Sequence, residues 1–246
     1  MEKTNMKPSQ LVVKALTGFL KFKAKKSTPL FASYNVTGRC NLRCIFCEWW
    51  KMDIPELPTK KALLAIDTVC GSGVSFFDLS GGEPLLRKDL IVLAKEAASH
   101  GCLVSMNTNG TLLNERRVCD VAGIFDVVVV SLDGPKEVHD KIRRVPGTYD
   151  KAVKAIRLLK SHGVKVGVNS VVTQKNIKIL PQFIDELRGQ VDFVQVQPMH
   201  PYPPTTENTP SDKQVSRFIN YLLRLKHSDP SFLAIPRDFV KGFELF

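Results

Sequence analysis

A chain of 246 residues, 43% of them hydrophobic, can bury the core of one large domain or two small ones. It has no apolar run of about 18 residues and no cleavable leader pattern, so a cytoplasmic protein is expected rather than a membrane-spanning or exported one. The net charge of +11 is lopsided, because seven lysines face Glu2 alone within residues 1–30 and the remainder is only mildly basic.

In residues 8–26, Leu11, Val12, Ala15, Leu16, Phe19 and Leu20 recur at three- and four-residue steps, with Lys14, Lys21 and Lys25 around the other side. This predicts a basic amphipathic helix, weakened by Gly18. Such a helix either packs on the domain with its lysines solvated or makes peripheral contact with the inner membrane face. From residue 30 a regular alternation begins. Apolar, β-branched runs at 30–36, 74–79, 102–107, 125–132, 164–172 and 192–197 predict strands, and helical patterns fall at 59–71, 87–100, 114–121, 148–162 and 177–188. Helix-start signals stand at Pro58-Thr59, Asn114 and Gly147-Thr148. Strands alternating with helices imply parallel pairing through right-handed crossovers. Six units are too few for a closed eight-stranded barrel, so the expected fold is α/β: a partial, open (β/α)6 TIM-like barrel with an N-terminal amphipathic helix. The divisions are a basic arm over 1–29, the barrel over 30–200, and a C-terminal helix (211–226) and tail within 201–246. Phe243, Leu245 and Phe246 need cover, so the tail either docks on the body or leads into further chain.

Six cysteines without an export signal argue against a disulfide framework. Cys70, Cys102 and Cys119 stand singly in apolar segments and read as buried thiols. Cys40, Cys44 and Cys47 differ, forming a C-x3-C-x2-C cluster directly after the first strand. Three thiolates suit a soft metal centre, and a missing fourth ligand leaves an open coordination position. In parallel β/α folds, functional groups gather at the carboxyl ends of the strands. Those ends read Ser80-Gly81-Gly82-Glu83-Pro84, Asn107-Thr108-Asn109-Gly110, Ser131-Leu132-Asp133-Gly134, Asn169-Ser170 and Gln195-Val196-Gln197-Pro198. Every strand thus brings polar groups or open backbone to one rim.

The cysteine spacing with Phe46 before the last thiol, the Gly-Gly-Glu-Pro of 81–84 and the Ser-Leu-Asp-Gly of 131–134 resemble the radical S-adenosylmethionine (radical SAM) superfamily over about residues 30–200. The resemblance implies that Cys40, Cys44 and Cys47 bind three irons of one [4Fe-4S] cluster. The amino and carboxylate groups of S-adenosylmethionine would chelate the fourth iron. Backbone around Gly81, Gly82, Glu83 and Pro84 would receive the methionine amino group, and Asn107 and Asn109 would complete the cofactor set at the third strand. Ser131 and Asp133 would serve the ribose or methionine part. Arg143, with Arg144 as the alternative, would partner the carboxylate, and Phe46, Val168, Asn169 and Val196 would lie near the adenine. The implied chemistry is reductive cleavage to a 5′-deoxyadenosyl radical that abstracts hydrogen from a substrate. The electron would come from a donor such as flavodoxin or ferredoxin, and the enzyme would be oxygen-sensitive.

The substrate is less legible. A peptide or protein stands first, since the tail resembles chains that continue into SPASM or twitch domains, although no cysteine follows Cys119. A lipid or isoprenoid is suggested by the basic arm, and a tetrapyrrole or other small cofactor is the third class. Nucleic acid is not expected, because the charge excess sits mainly in the arm and no nucleic-acid module appears. The non-enzyme alternative is a binding protein with structural zinc, for which no fourth cysteine or histidine lies nearby. Glu48, Trp49, Trp50, Met199, His200 and Tyr202 flank the rim and are candidates for substrate contact, with loop packing as the alternative role.

Overall fold

The computed structural model describes Val13, Leu16, residues 29–200 and residues 203–245. The six apolar runs form β1 (Phe31–Thr37), β2 (Phe76–Gly81), β3 (Leu103–Thr108), β4 (Val127–Ser131), β5 (Lys165–Val172) and β6 (Phe193–Pro198). Each strand pairs in parallel with the next in chain order, leaving β1 and β6 at opposite ends of the sheet. This is the expected open, partial barrel. The arm helix expected over 8–26 lies outside the described residues, apart from Val13 and Leu16, which are helical and exposed. Among the described residues no helix is long and apolar enough to cross a membrane.

Among the described residues six helices lie between successive strands: α1 (Thr59–Gly71), α2 (Leu90–Ser99), α3 (Glu115–Ala122), α4 (Lys136–Arg143), α5 (Thr148–Ser161) and α6 (Leu180–Glu186). Successive strand residues face opposite sides of a sheet. One set, including Phe77, Leu79, Val104, Met106, Val128 and Val130, joins the helix residues Ile66, Leu93, Leu159 and Ile184 in a single apolar core. Each such Leu, Ile or Phe contributes about 1.5–3 kcal/mol through burial. Asn114 caps α3 by accepting the Arg117 N–H at 3.0 Å. The helix α4 was not expected from the sequence. It is short and mostly charged, and only Val138 and Ile142, one helical turn apart, give it an apolar side.

After β6, helix α7 (Asp212–Ser228) begins on a capping box between Ser211 and Gln214. The chain then runs beside β6, where the Val194 N–H donates to the Phe232 carbonyl at 2.7 Å and the Ala234 N–H to the Val194 carbonyl at 2.9 Å. A last short helix, α8 (Arg237–Lys241), precedes Phe243, which is buried with Val240. The tail therefore docks on the body through Phe243, while the Leu245 side chain and Phe246 lie outside the described residues.

Candidate active site

The cysteine loop is held at the strand ends from three directions. The Ile45 N–H donates to the Ile142 carbonyl at 2.9 Å and the Arg43 N–H to the Arg143 carbonyl at 3.4 Å, which stitches the loop to the end of α4. On the β3 side, the Asn109 amide donates to Asn41 Oδ1 at 2.8 Å, and the Asn41 amide donates to Thr111 Oγ1 at 2.8 Å. On the β2 side, the Gly82 N–H donates to the Thr37 carbonyl and the Glu83 N–H to the Arg39 carbonyl, at 2.9 and 2.8 Å. Backbone contact this close requires glycine. A Cβ on Gly82 would collide with the Arg39 carbonyl, and Gly81 has a φ of +135°, which side chains avoid.

The three thiols form no disulfide. Burial raises the pKa of all three, that of Cys40 to about 11, so as free thiols they hold their protons at neutral pH. Two of them nevertheless have an N–H donor. Leu42 N–H lies 3.4 Å from Cys40 Sγ, and Arg143 Nη1 lies 3.7 Å from Cys44 Sγ. At Cys47 the backbone of Trp49 and Trp50 counters part of the rise that burial causes. Sulfurs that resist ionisation alone, yet cluster with N–H donors aimed at two of them, fit thiolates whose proton is displaced by metal. The donor set fits an iron–sulfur cluster, whose potential depends on such hydrogen bonds.

Two buried carboxylates support the rim. Glu83 Oε1 accepts from Thr108 Oγ1 at 2.7 Å and from the Leu85 N–H at 3.2 Å, while Oε2 accepts from the Asn109 N–H at 2.8 Å. Asp133 faces inward: Oδ2 accepts from Arg143 Nε at 2.5 Å, and Oδ1 accepts from Arg143 Nη2 at 3.1 Å and from the Val171 N–H at 2.9 Å. The fork of Arg143, expected to clamp a ligand carboxylate, is thus occupied by Asp133, and Asp133, expected at a ribose or methionine, is fully buried against that guanidinium. Arg144 is the left-handed cap of α4, with φ 57°. Behind Asp133, His139 Nδ1 accepts the Asp133 N–H at 3.1 Å, which leaves the proton on Nε2, buried without a partner. Burial lowers the His139 pKa to about 4.

The remaining expected residues divide by strand face. Val168 and Val196, placed near an adenine by resemblance, instead belong to the apolar core against the helices. Strand alternation sets Asn169 on the other face, half-buried like Ser131. Phe46 lies beneath the Arg143 guanidinium, 5.2 Å from ring centre to Cζ. Pro84 is buried at the start of a short turn of helix. Asn107 donates to both oxygens of Asp78 at 3.0 and 2.9 Å, and Ser33 and Ser105 donate to the same carboxylate. Asp78 was missed from the sequence, although a charge inside an apolar strand was its signal.

Among the flanking residues, Trp50 Nε1 donates to the Cys47 carbonyl at 2.9 Å, and Glu48 pairs with Lys51 at 2.7 Å. Met199 is buried and lines a cavity of about 460 Å³ with Val172, Ile177, Thr209, Asp212 and Phe243. His200 is exposed, and Tyr202 lies outside the described residues. Cys119, expected to be buried, is exposed at the surface of α3, 3.7 Å from His162 Nε2.

Residues 34–187 match the family model described as the radical SAM superfamily. The pre-heme d1 synthase of Dinoroseobacter shibae is 37% identical over 155 residues, 61% of this chain and 38% of that protein. The Fe-coproporphyrin III synthase of Methanosarcina barkeri is 34% identical over 161 residues, 64% of this chain and 40% of that protein. The chain thus spans about 40% of the length of these curated relatives. Among solved structures, Streptococcus suis SuiB bound to S-adenosylmethionine superposes with a TM-score of 0.72 at 20% identity, over 92% of this chain and 55% of that one. SuiB bound to its precursor peptide SuiA gives 0.71 at 19%, over 95% and 54%. With more than half its length matched, the chain belongs to the radical SAM superfamily and is an enzyme that uses a [4Fe-4S] cluster and S-adenosylmethionine.

Proposed function

We propose that Cys40, Cys44 and Cys47 hold the cluster and that the enzyme acts on a tetrapyrrole. When bound, the cluster and S-adenosylmethionine supply one-electron cleavage of a carbon–sulfur bond and an adenosyl radical that removes hydrogen from the substrate. The chain's own residues bind, orient and exclude. The observation that carries the cluster reading is the set of three free thiols, Cys44 buried and Cys40 and Cys47 half-buried, on a loop stapled to the strand ends, with N–H donors on Cys40 and Cys44. Gly81 and Gly82 let backbone approach the open coordination position, and Glu83 fixes that backbone through Thr108, Asn109 and Leu85. Asn169 and Ser131, half-buried at the ends of β5 and β4, stand ready for the nucleoside side of the ligand. A reductant such as flavodoxin or ferredoxin would supply the electron.

Two observations support the tetrapyrrole. Relatives above 30% identity are named for Fe-coproporphyrin III and pre-heme d1. Next to the last cysteine, Trp50 offers a ring with the Arg43 guanidinium 5.6 Å and the Lys51 ammonium 5.2 Å from its centre. These two cations, held over the Trp50 ring beside the cysteine loop, suit the carboxylate arms of a macrocycle. The test is anaerobic turnover of the reconstituted chain with dithionite and S-adenosylmethionine, comparing iron coproporphyrin III, metal-free coproporphyrin III and an unstructured peptide. A macrocycle should raise 5′-deoxyadenosine above the substrate-free level and yield a product of altered mass. Stimulation by the peptide alone would return the substrate to the peptide class.

A further inference from the structure

We propose that the buried Asp133–Arg143 ion pair tunes the reduction potential of the cluster through Cys44. Asp133 is the positioning residue that aims the remaining donor of Arg143 at that sulfur. The inference rests on the reading of Cys44 as a cluster ligand.

Arg143 has little freedom to do anything else. Its Nε and Nη2 are committed to Asp133 at 2.5 and 3.1 Å, leaving Nη1 directed at Cys44 Sγ, 3.7 Å away. Asp133 is itself fixed on several sides. The Val171 N–H holds Oδ1 at 2.9 Å, the Asn176 amide holds its carbonyl at 2.9 Å, and His139 Nδ1 takes its N–H at 3.1 Å. The sulfur is equally constrained, since the Ile45 and Arg43 N–H groups tie the cysteine loop to the Ile142 and Arg143 carbonyls. Phe46 covers the guanidinium face. With side chains 8% and 0% exposed, the pair is weakly screened by solvent.

The pair is therefore a fixed dipole with its positive end on one cysteine. Of the other two thiols, Cys40 receives a backbone N–H from Leu42 at 3.4 Å, and neither faces a cationic side chain as directly as Cys44 does. Reducing an iron–sulfur cluster adds negative charge, so a cation and an N–H donor at a ligand sulfur favour the reduced state and raise the potential. The carboxylate behind the guanidinium moderates that effect.

The test is an EPR-monitored redox titration of the anaerobically loaded full chain without S-adenosylmethionine, for wild type, D133N, R143Q and D133N/R143Q. D133N leaves the guanidinium uncompensated and should titrate above wild type. R143Q leaves a bare carboxylate and should titrate lowest. The double variant removes the whole dipole and should fall between wild type and R143Q. Equal potentials, or shifts of the same sign in D133N and R143Q, overturn the inference. Where a single variant fails to load iron, the double variant decides, because it buries no unpaired charge; a potential at or above wild type is then the contradicting result. Loaded clusters of unchanged potential remove this inference alone. Failure of the wild-type chain to take up a cluster removes the three-cysteine reading and this inference with it.

Discussion

Glu83 and Asp133 close the second and fourth strands, and both are wholly buried. Their surroundings differ in one respect that assigns them different work. Glu83 is satisfied by neutral donors, the Thr108 hydroxyl and the Asn109 and Leu85 N–H groups, and burial pushes its pKa up. Asp133 is satisfied chiefly by a guanidinium, whose own pKa the pair pushes upward. A carboxylate with neutral partners can act only as a strut for the backbone it grips. One holding a cation aims charge, and at this rim the charge points at a thiol.

The largest effect should come from removing the strut. Glu83→Ala strands two buried donors and one part-buried donor, each buried one worth about 1–3 kcal/mol when unpaired, so denaturant unfolding should show a loss above about 3 kcal/mol. A loss below about 1 kcal/mol would put Glu83 and Asp133 on the same footing and break the comparison.

His139, which backs Asp133, gives the next effect. The unfolded chain takes up a proton near the ordinary 6.5, whereas folded His139 takes one only near 4. The unfolded state therefore binds more protons within that window, and folding stability should fall as the pH drops through it, by about 3 kcal/mol in all. The stability is fully present above the window. His139→Asn keeps an acceptor for the Asp133 N–H and should flatten the pH profile; an unchanged slope would show that other groups cause it.

Gly82→Ala presses a methyl group onto the Arg39 carbonyl, just before Cys40. A loss of about 1–3 kcal/mol and reduced iron per chain are expected from calorimetry and iron analysis. Full iron content would show that the β2 side does not hold the loop. Least affected should be Cys119→Ser, an exposed thiol on α3, whose unfolding free energy should stay within about 0.5 kcal/mol with iron content unchanged.

Most of the fold was legible because apolar, β-branched runs alternating with helical patterns are a strong signal when one face of a parallel sheet is packed against helices. The strands begin and end within a few residues of the expected positions. The helix α4 escaped because eight residues with two apolar positions carry almost no periodic signal, although Pro135 ahead of it was a start mark. The rim was legible as a set of strand-end residues, but their directions were not. Adjacent positions such as Val168 and Asn169 cannot face the same side of a sheet, so expecting both at one ligand overlooked alternation. The turn of Asp133 towards Arg143 depends on where α4 ends against the cysteine loop, a tertiary contact with no local signature. Cys119 looked buried from its neighbours Val118 and Val121, but the helix turns those two inward and the thiol outward.

The most direct measurement combines iron and sulfide analysis, EPR and 5′-deoxyadenosine release with dithionite and S-adenosylmethionine. It compares the wild-type chain with Cys40→Ala, Cys44→Ala and Cys47→Ala, and uses Cys119→Ser as the control. One [4Fe-4S] cluster per chain and release of 5′-deoxyadenosine are expected for the wild type and the control, and neither for the three alanine variants. Full cluster content and undiminished 5′-deoxyadenosine in any of those three would contradict the assignment of the cluster to Cys40, Cys44 and Cys47.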